Sequence, residues 1–119
     1  MKASLKLTAL ALTGVLRLAT AAGAQSYPDR QITVVVPFPA GGPSDVIARI
    51  VAEHMGKTLG QTLIIENVTG AGGTTGIVRG SQATPDGYTI MMGHMGTHGA
   101  APALYPNLKY SPAKDFSPI

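Results

Sequence analysis

Between residues 32 and 92 short apolar runs alternate with longer amphipathic ones. Ile32-Thr33-Val34-Val35-Val36, Thr62-Leu63-Ile64-Ile65-Glu66 and Tyr88-Thr89-Ile90-Met91-Met92 have strand length. The first two are rich in β-branched residues and barely alternate, the pattern of strands covered on both faces of a parallel sheet. Val46, Ile47, Ile50, Val51, Met55 and Leu59 recur at helical spacing after the first run and predict a helix with one apolar stripe. Gly42 is placed as its N-cap, with Pro43 at the first helical position, where a missing N–H costs nothing. Asp45 falls in the first turn, where negative charge complements the helix dipole, and Gly60 is placed to end the helix. Asp45–Arg49 and Glu53–Lys57 are spaced i,i+4 with the acid first, the favourable order. A weaker helix is predicted from near Gly70–Gly73 through Ile77, Val78 and Gln82. Gly76 and Gly80 lie inside it, each costing up to about 1 kcal/mol relative to alanine. Pro85-Asp86-Gly87 then turns the chain into the third strand. The βαβαβ order predicts an α/β fold with a parallel sheet. A short helix through Ala100 to Leu104 follows, and the tail from Pro106 to Ile119 has no helical period.

A parallel sheet brings the C-terminal ends of its strands to one edge, where ligands bind at the point of strand-order reversal. The loops expected there are 37–45, 67–76 and 93–98, and each contains glycine. In Pro37-Phe38-Pro39-Ala40-Gly41-Gly42-Pro43-Ser44-Asp45 the glycines permit close backbone approach. The N–H groups around Ser44 and Asp45 open a helix and suit a carboxylate or phosphate. A plain βα turn with good capping accounts for the same residues, and Asp45 reads first as a helix-start residue. Gly70-Ala71-Gly72 matches the opening of a dinucleotide fingerprint. Thr75 stands where its third glycine belongs, however, and Glu66 ends the preceding strand instead of lying about 20 residues further on. Gly56-Lys57-Thr58 has Val51 where a P-loop needs glycine. His94 and His98 lack a nearby third ligand for a metal. Ser44 has no G-x-S-x-G elbow, and the chain has no cysteine. No nucleophile is therefore indicated.

A length of 119 residues allows one domain at most. The net charge of +3 comes from Lys2, Lys6 and Arg17. From Gln25 onward Arg30, Arg49, Lys57, Arg79, Lys109 and Lys114 balance Asp29, Asp45, Glu53, Glu66, Asp86 and Asp115. With no basic patch left, nucleic acid is excluded as a partner class. Lys2 and Lys6, the apolar Leu7–Leu16 and Ala22-Gly23-Ala24 form a secretory signal, residues 1–24, with cleavage expected before Gln25. The apolar stretch is shorter than the roughly 20 residues of a membrane span; an amphipathic helix kept in the mature protein is the alternative. Without cysteine the exported chain has no disulfide and relies on its packed core.

Three ordered motifs carry a family resemblance: Pro37-Phe38-Pro39-x-Gly41-Gly42-x-x-Asp45, Glu66-Asn67-x-x-Gly70-Ala71-Gly72-Gly73 and Pro85-Asp86-Gly87-Tyr88-Thr89. From Tyr27 to Ile119 the chain resembles the N-terminal part of the Bug-type substrate-binding proteins of tripartite tricarboxylate transporters. The resemblance implies a periplasmic-binding-protein type II-like lobe, and capture of a small carboxylate in the periplasm for a membrane permease, with no cofactor, no metal and no catalysis. It implies ligand contacts from Phe38, Ala40, Gly41, Gly42, Ser44 and Asp45 in the first loop. It adds Asn67, Gly70, Gly72 and Gly73 in the second, and Gly93, Met95, Gly96 and Thr97 in the third. Val68-Thr69 stands where the family often has Arg-Pro, and His98-Gly99-Ala100-Ala101 replaces a stretch that usually holds an asparagine before Pro102. Family members have two lobes and roughly twice this length or more. Residues 25–119 are therefore expected to form a partial N-terminal lobe with the second lobe missing. A truncated, non-functional remnant and a nucleotide-binding domain using Gly70–Gly76 are the competing readings.

Overall fold

The structure, a computed structural model, describes residues 26–119. The expected signal and its cleavage site lie outside the described residues. The element order is β1 (Ile32–Val36), α1 (Pro43–Leu59), β2 (Leu63–Asn67), a 3-10 turn (Ala71–Gly73), α2 (Thr74–Ser81), β3 (Thr89–Met91), a π-helical turn (Met95–Ala100) and α3 (Ala101–Leu104). The three strands form one parallel sheet in the order β2-β1-β3. Ile32 pairs with Leu63 and Val36 with Asn67 on one side of β1, and Thr33 pairs with Thr89 and Val35 with Met91 on the other. The α/β class and the parallel βαβαβ order are as the hydrophobic pattern predicts.

The centre of the sheet is the most apolar run. Val34, Val35 and Val36 are buried, and burying such a side chain stabilises by about 1.5–3 kcal/mol. One face of the sheet packs Val34 and Val36 against Ala48 and Ala52 of α1, with Phe38, Leu63, Ile65, Ile90 and Met92 around them. A second apolar cluster joins Ile77, Ala101 and Tyr110, with Val78, Met91, Leu108 and Phe116 packed on it. The tail thus has no helix of its own but closes this cluster with Tyr110 and Phe116.

The ends of α1 follow their signals. Gly42 is the extended N-cap, Pro43 follows it, and Gly60 closes the helix in the left-handed region with its N–H on the Gly56 carbonyl. Both expected ion pairs form, Arg49 to Asp45 at 2.8 Å and Lys57 to Glu53 at 2.7 Å. The expected apolar stripe is the exception. Val46, Ile47, Ile50 and Val51 are 45–56% exposed, and the buried residues of α1 are Asp45, Ala48 and Ala52. Helical spacing marks both faces of this helix as non-polar. The small residues win the inner face because alanine lets the helix approach the strands closely, and the bulky branched residues are turned outward.

Two further differences have local causes. The second helix begins at Thr74 and not among the preceding glycines, because Gly72 and Gly73 have φ of 65° and 93°, and no right-handed helix continues through such angles. Only one face of β2 is covered. Ile64 is 45% exposed, since the eight-residue α2 packs over β1 and β3.

Candidate functional site

All three strands run the same way, so the loops that follow them open at one edge. Strand order reverses between β1 and β3, where the crevice of an open parallel sheet lies. Side chains meet there. The ring of Phe38, just past β1, stacks on the imidazole of His94, just past β3, with centroids 4.6 Å apart and planes 18° apart. The loop after β2 joins them through Gly73. A Cβ at that position would lie 2.9 Å from Phe38 Cζ and 3.0 Å from Thr97 Cγ2. Only glycine combines that approach with φ +93°.

Beneath this contact lies a buried polar brace. The Asp45 carboxylate is 1% exposed. Its Oδ2 accepts from the Gly41 amide at 2.7 Å and from Arg49 Nε at 2.8 Å, and its Oδ1 accepts from Asn67 Nδ2 at 2.9 Å. Asn67 Nδ2 also donates to the Phe38 carbonyl at 2.9 Å. The first loop is therefore tied to the end of β2 by side chains. Arg49 first, then the Gly41 amide and Asn67, hold the Asp45 carboxyl well below the usual carboxylate range; hydrogen bonds to the charged form outweigh burial.

The third loop is anchored by Thr97. Its hydroxyl donates to the His94 carbonyl and accepts from the His94 amide, both at 3.2 Å, and lies 3.0 Å from His98 Nδ1. The Tyr110 hydroxyl donates to the Thr97 carbonyl. His98 sits against Phe116, with centroids 5.3 Å apart. Burial first, and then the neighbouring His94, push its pKa down. Its unfolded form takes up a proton near 6.5 before its folded form does. Its contribution to stability is thus complete above about pH 7 and is lost as pH falls through 6.5 toward the folded value. Melting temperature is expected to hold from pH 8 to 7 and to fall as pH drops below about 6.5. In His98→Gln that segment of the profile flattens, as thermal melts across the range will register.

The expected site residues take three kinds of place. Phe38 and Gly73 meet at the crevice, with Ala40 exposed, Ser44 half-buried and Met95 exposed in the loops around them. Asp45, Asn67 and Thr97 are struts whose polar atoms are spent inside the fold, with Gly41 tied to the first of them. The remaining glycines have side chains on their open faces: Thr75 at Gly70, Tyr105 at Gly72, His98 at Gly93 and His94 at Gly96. The Gly42 amide closes a turn onto the Pro39 carbonyl. Among the described residues, the amides of Phe38, Ala40, Ser44 and Asp45 are the ones in the first loop with no acceptor within the chain. Gly73 is buried against Phe38 and Thr97, and Gly70 and Gly72 are exposed. Among the described residues no three His, Cys, Asp or Glu side chains come together as a metal site. His94, which the sequence offers only as a metal ligand, lies outside the ligand contacts that the resemblance implies. Its signal was the spacing His94-x-x-Thr97, a capping arrangement at the start of a helical turn.

A model of the TctC family, "Tripartite tricarboxylate transporter family receptor", matches residues 47–119. The chain belongs to this family. A UPF0065 protein from the TAR-I ttuE-ttuC' intergenic region of Agrobacterium vitis is 47% identical over 111 residues, 93% of this chain and 32% of the relative. The solved structure of MatC from Rhodopseudomonas palustris with bound malate is 56% identical, with TM-score 0.76, over 78% of this chain and 32% of that one. The periplasmic binding protein BugD is 50% identical, with TM-score 0.75, over 78% and 31%. The chain thus spans about a third of the length of the receptors it matches. The family is one of solute receptors and not of enzymes. The loops after β2 and β3 fall within the family match, and the loop after β1 falls within the stretch shared with the Agrobacterium vitis relative; no helix among the described residues is long and apolar enough to cross a membrane.

Proposed function

We propose that this chain contributes one side of a carboxylate-binding cleft in a periplasmic receptor, reached after removal of residues 1–24, and that the receptor serves the membrane permease of a tripartite tricarboxylate transporter. The observation that carries this reading is the meeting of Phe38, Gly73 and His94 at the strand-order reversal. Around it the amides of Ala40 and Ser44 offer donors at the start of a 17-residue helix, an arrangement that holds an anion without reacting with it. The malate bound to the MatC relative is of the same chemical class. Residues 26–119 form part of a first lobe in this reading, and the exposed Val46, Ile47, Ile50 and Val51 are apolar surface of the kind that further protein covers. Receptors of this architecture hold a ligand by closing two lobes on it, so a single side binds weakly. Titration of the chain with malate, citrate, glutamate and terephthalate, followed by amide NMR, is expected to give millimolar saturation with shifts in residues 38–45 and 93–97. Shifts confined to other segments, or none, reject the reading.

A further inference from the structure

We propose that His94 donates a side-chain hydrogen bond from Nε2 to a carboxylate oxygen of the ligand, an inference that rests on the receptor reading above. His94 is exposed, yet its ring is held from two directions. One face lies on Phe38 at 4.6 Å, and Nδ1 accepts the Gly96 amide at 2.8 Å. An exposed side chain normally keeps its rotamer freedom, and fixing it costs entropy. Here the approach also requires glycine at position 96, where a Cβ would come within 2.6 Å of His94 Cε1.

The two contacts determine the chemistry of the ring. An N–H directed at Nδ1 requires a lone pair there, so the neutral imidazole carries its proton on Nε2. Among the described residues Nε2 has no partner. The ring therefore presents one donor, of fixed tautomer, beside Phe38 at the point where strand order reverses. A carboxylate accepts such a donor in a short, charge-assisted bond. Among the nearby polar side chains, the Asn67 donors and the Asp45 acceptors are consumed in the brace and the Thr97 hydroxyl is engaged with His94 and His98, while the hydroxyls of Ser44 and Tyr105 rotate and present no donor of fixed direction. His94 is thus the group through which the site adds a directed side-chain bond to its backbone donors.

The test separates the ligand contact from the capping role. His94→Asn keeps an oxygen at the position of Nδ1, and asparagine is a good N-cap, but it has no Nε2. Nitrogen-15 NMR of the wild-type ring, without ligand, is expected to show the proton on Nε2. Malate affinity is expected to fall about tenfold or more in His94→Asn, the usual worth of a hydrogen bond to a charged group, with the Gly96 amide still hydrogen-bonded, as its slow exchange will show, and the melting temperature close to wild type. A proton on Nδ1, or equal affinity in the two proteins, overturns the inference and leaves the receptor reading standing. No malate response in the wild-type chain overturns the receptor reading itself, and the ligand-free tautomer measurement keeps the two failures apart.

Discussion

Asp45→Ala is expected to abolish detectable carboxylate binding and to lower the melting temperature by on the order of 10 °C. The substitution removes the acceptor shared by the Gly41 amide, Arg49 Nε and Asn67 Nδ2 and leaves a gap at a buried position where the first loop is tied to the end of β2. The effect on binding comes through position, since Asp45 holds Gly41 and, with Asn67, fixes the Phe38 carbonyl. Asp45→Asn is expected to behave nearly as badly. All three partners are donors, and any orientation of the new amide turns its NH2 group toward one of them. The charge also has a pH signature. An aspartate free in the unfolded chain takes its proton near 3.9, and the folded carboxyl does so only at much lower pH. Its contribution is therefore complete at neutral pH and is lost as pH falls below about 4. Acid denaturation of the two variants will be correspondingly shallower in that range. Urea melts at pH 7 and pH 3 distinguish this brace from an ordinary surface ion pair, whose removal leaves both nearly unchanged.

Gly76→Ala is expected to destabilise the chain by about 3 kcal/mol, a fall of roughly 15 °C, although alanine is the better helix former. The added Cβ would lie 2.5 Å from the Val68 carbonyl oxygen and 2.7 Å from Pro37 Cα. Both are backbone atoms, at the ends of β2 and β1, so α2 must lift off the sheet edge that carries the loops. Gly80→Ala provides the contrast one turn later in the same helix. Its Cβ would meet Met91 Cε and Sδ, the far end of a flexible side chain that can rotate away. That variant is expected to melt within about 5 °C of wild type, helped by up to about 1 kcal/mol of helix propensity. Equal melting temperatures in the two variants would show that the approach of Val68 and Pro37 does not set the role of Gly76.

The sequence by itself determined the secondary elements, their order, the parallel sheet and the edge at which three glycine-containing loops open. These depend on periodicity, β-branched runs and capping residues, all of which act between neighbours in the chain. The local signals at Gly42, Pro43, Asp45 and Gly60 placed α1 correctly for the same reason. Only the tertiary structure decided which face of α1 is buried, because helical spacing is satisfied equally by the Ala48–Ala52 face and by the Val46–Ile50 face. The choice depends on how closely helix and strands approach, a distance between segments far apart in the chain. It also decided that Asp45, Asn67 and Thr97 are struts and that His94 is the exposed polar group. A side chain spends its hydrogen bonds on partners such as Phe38, 29 residues from Asn67, and sequence spacing carries no record of that pairing until the sheet brings the two loops together.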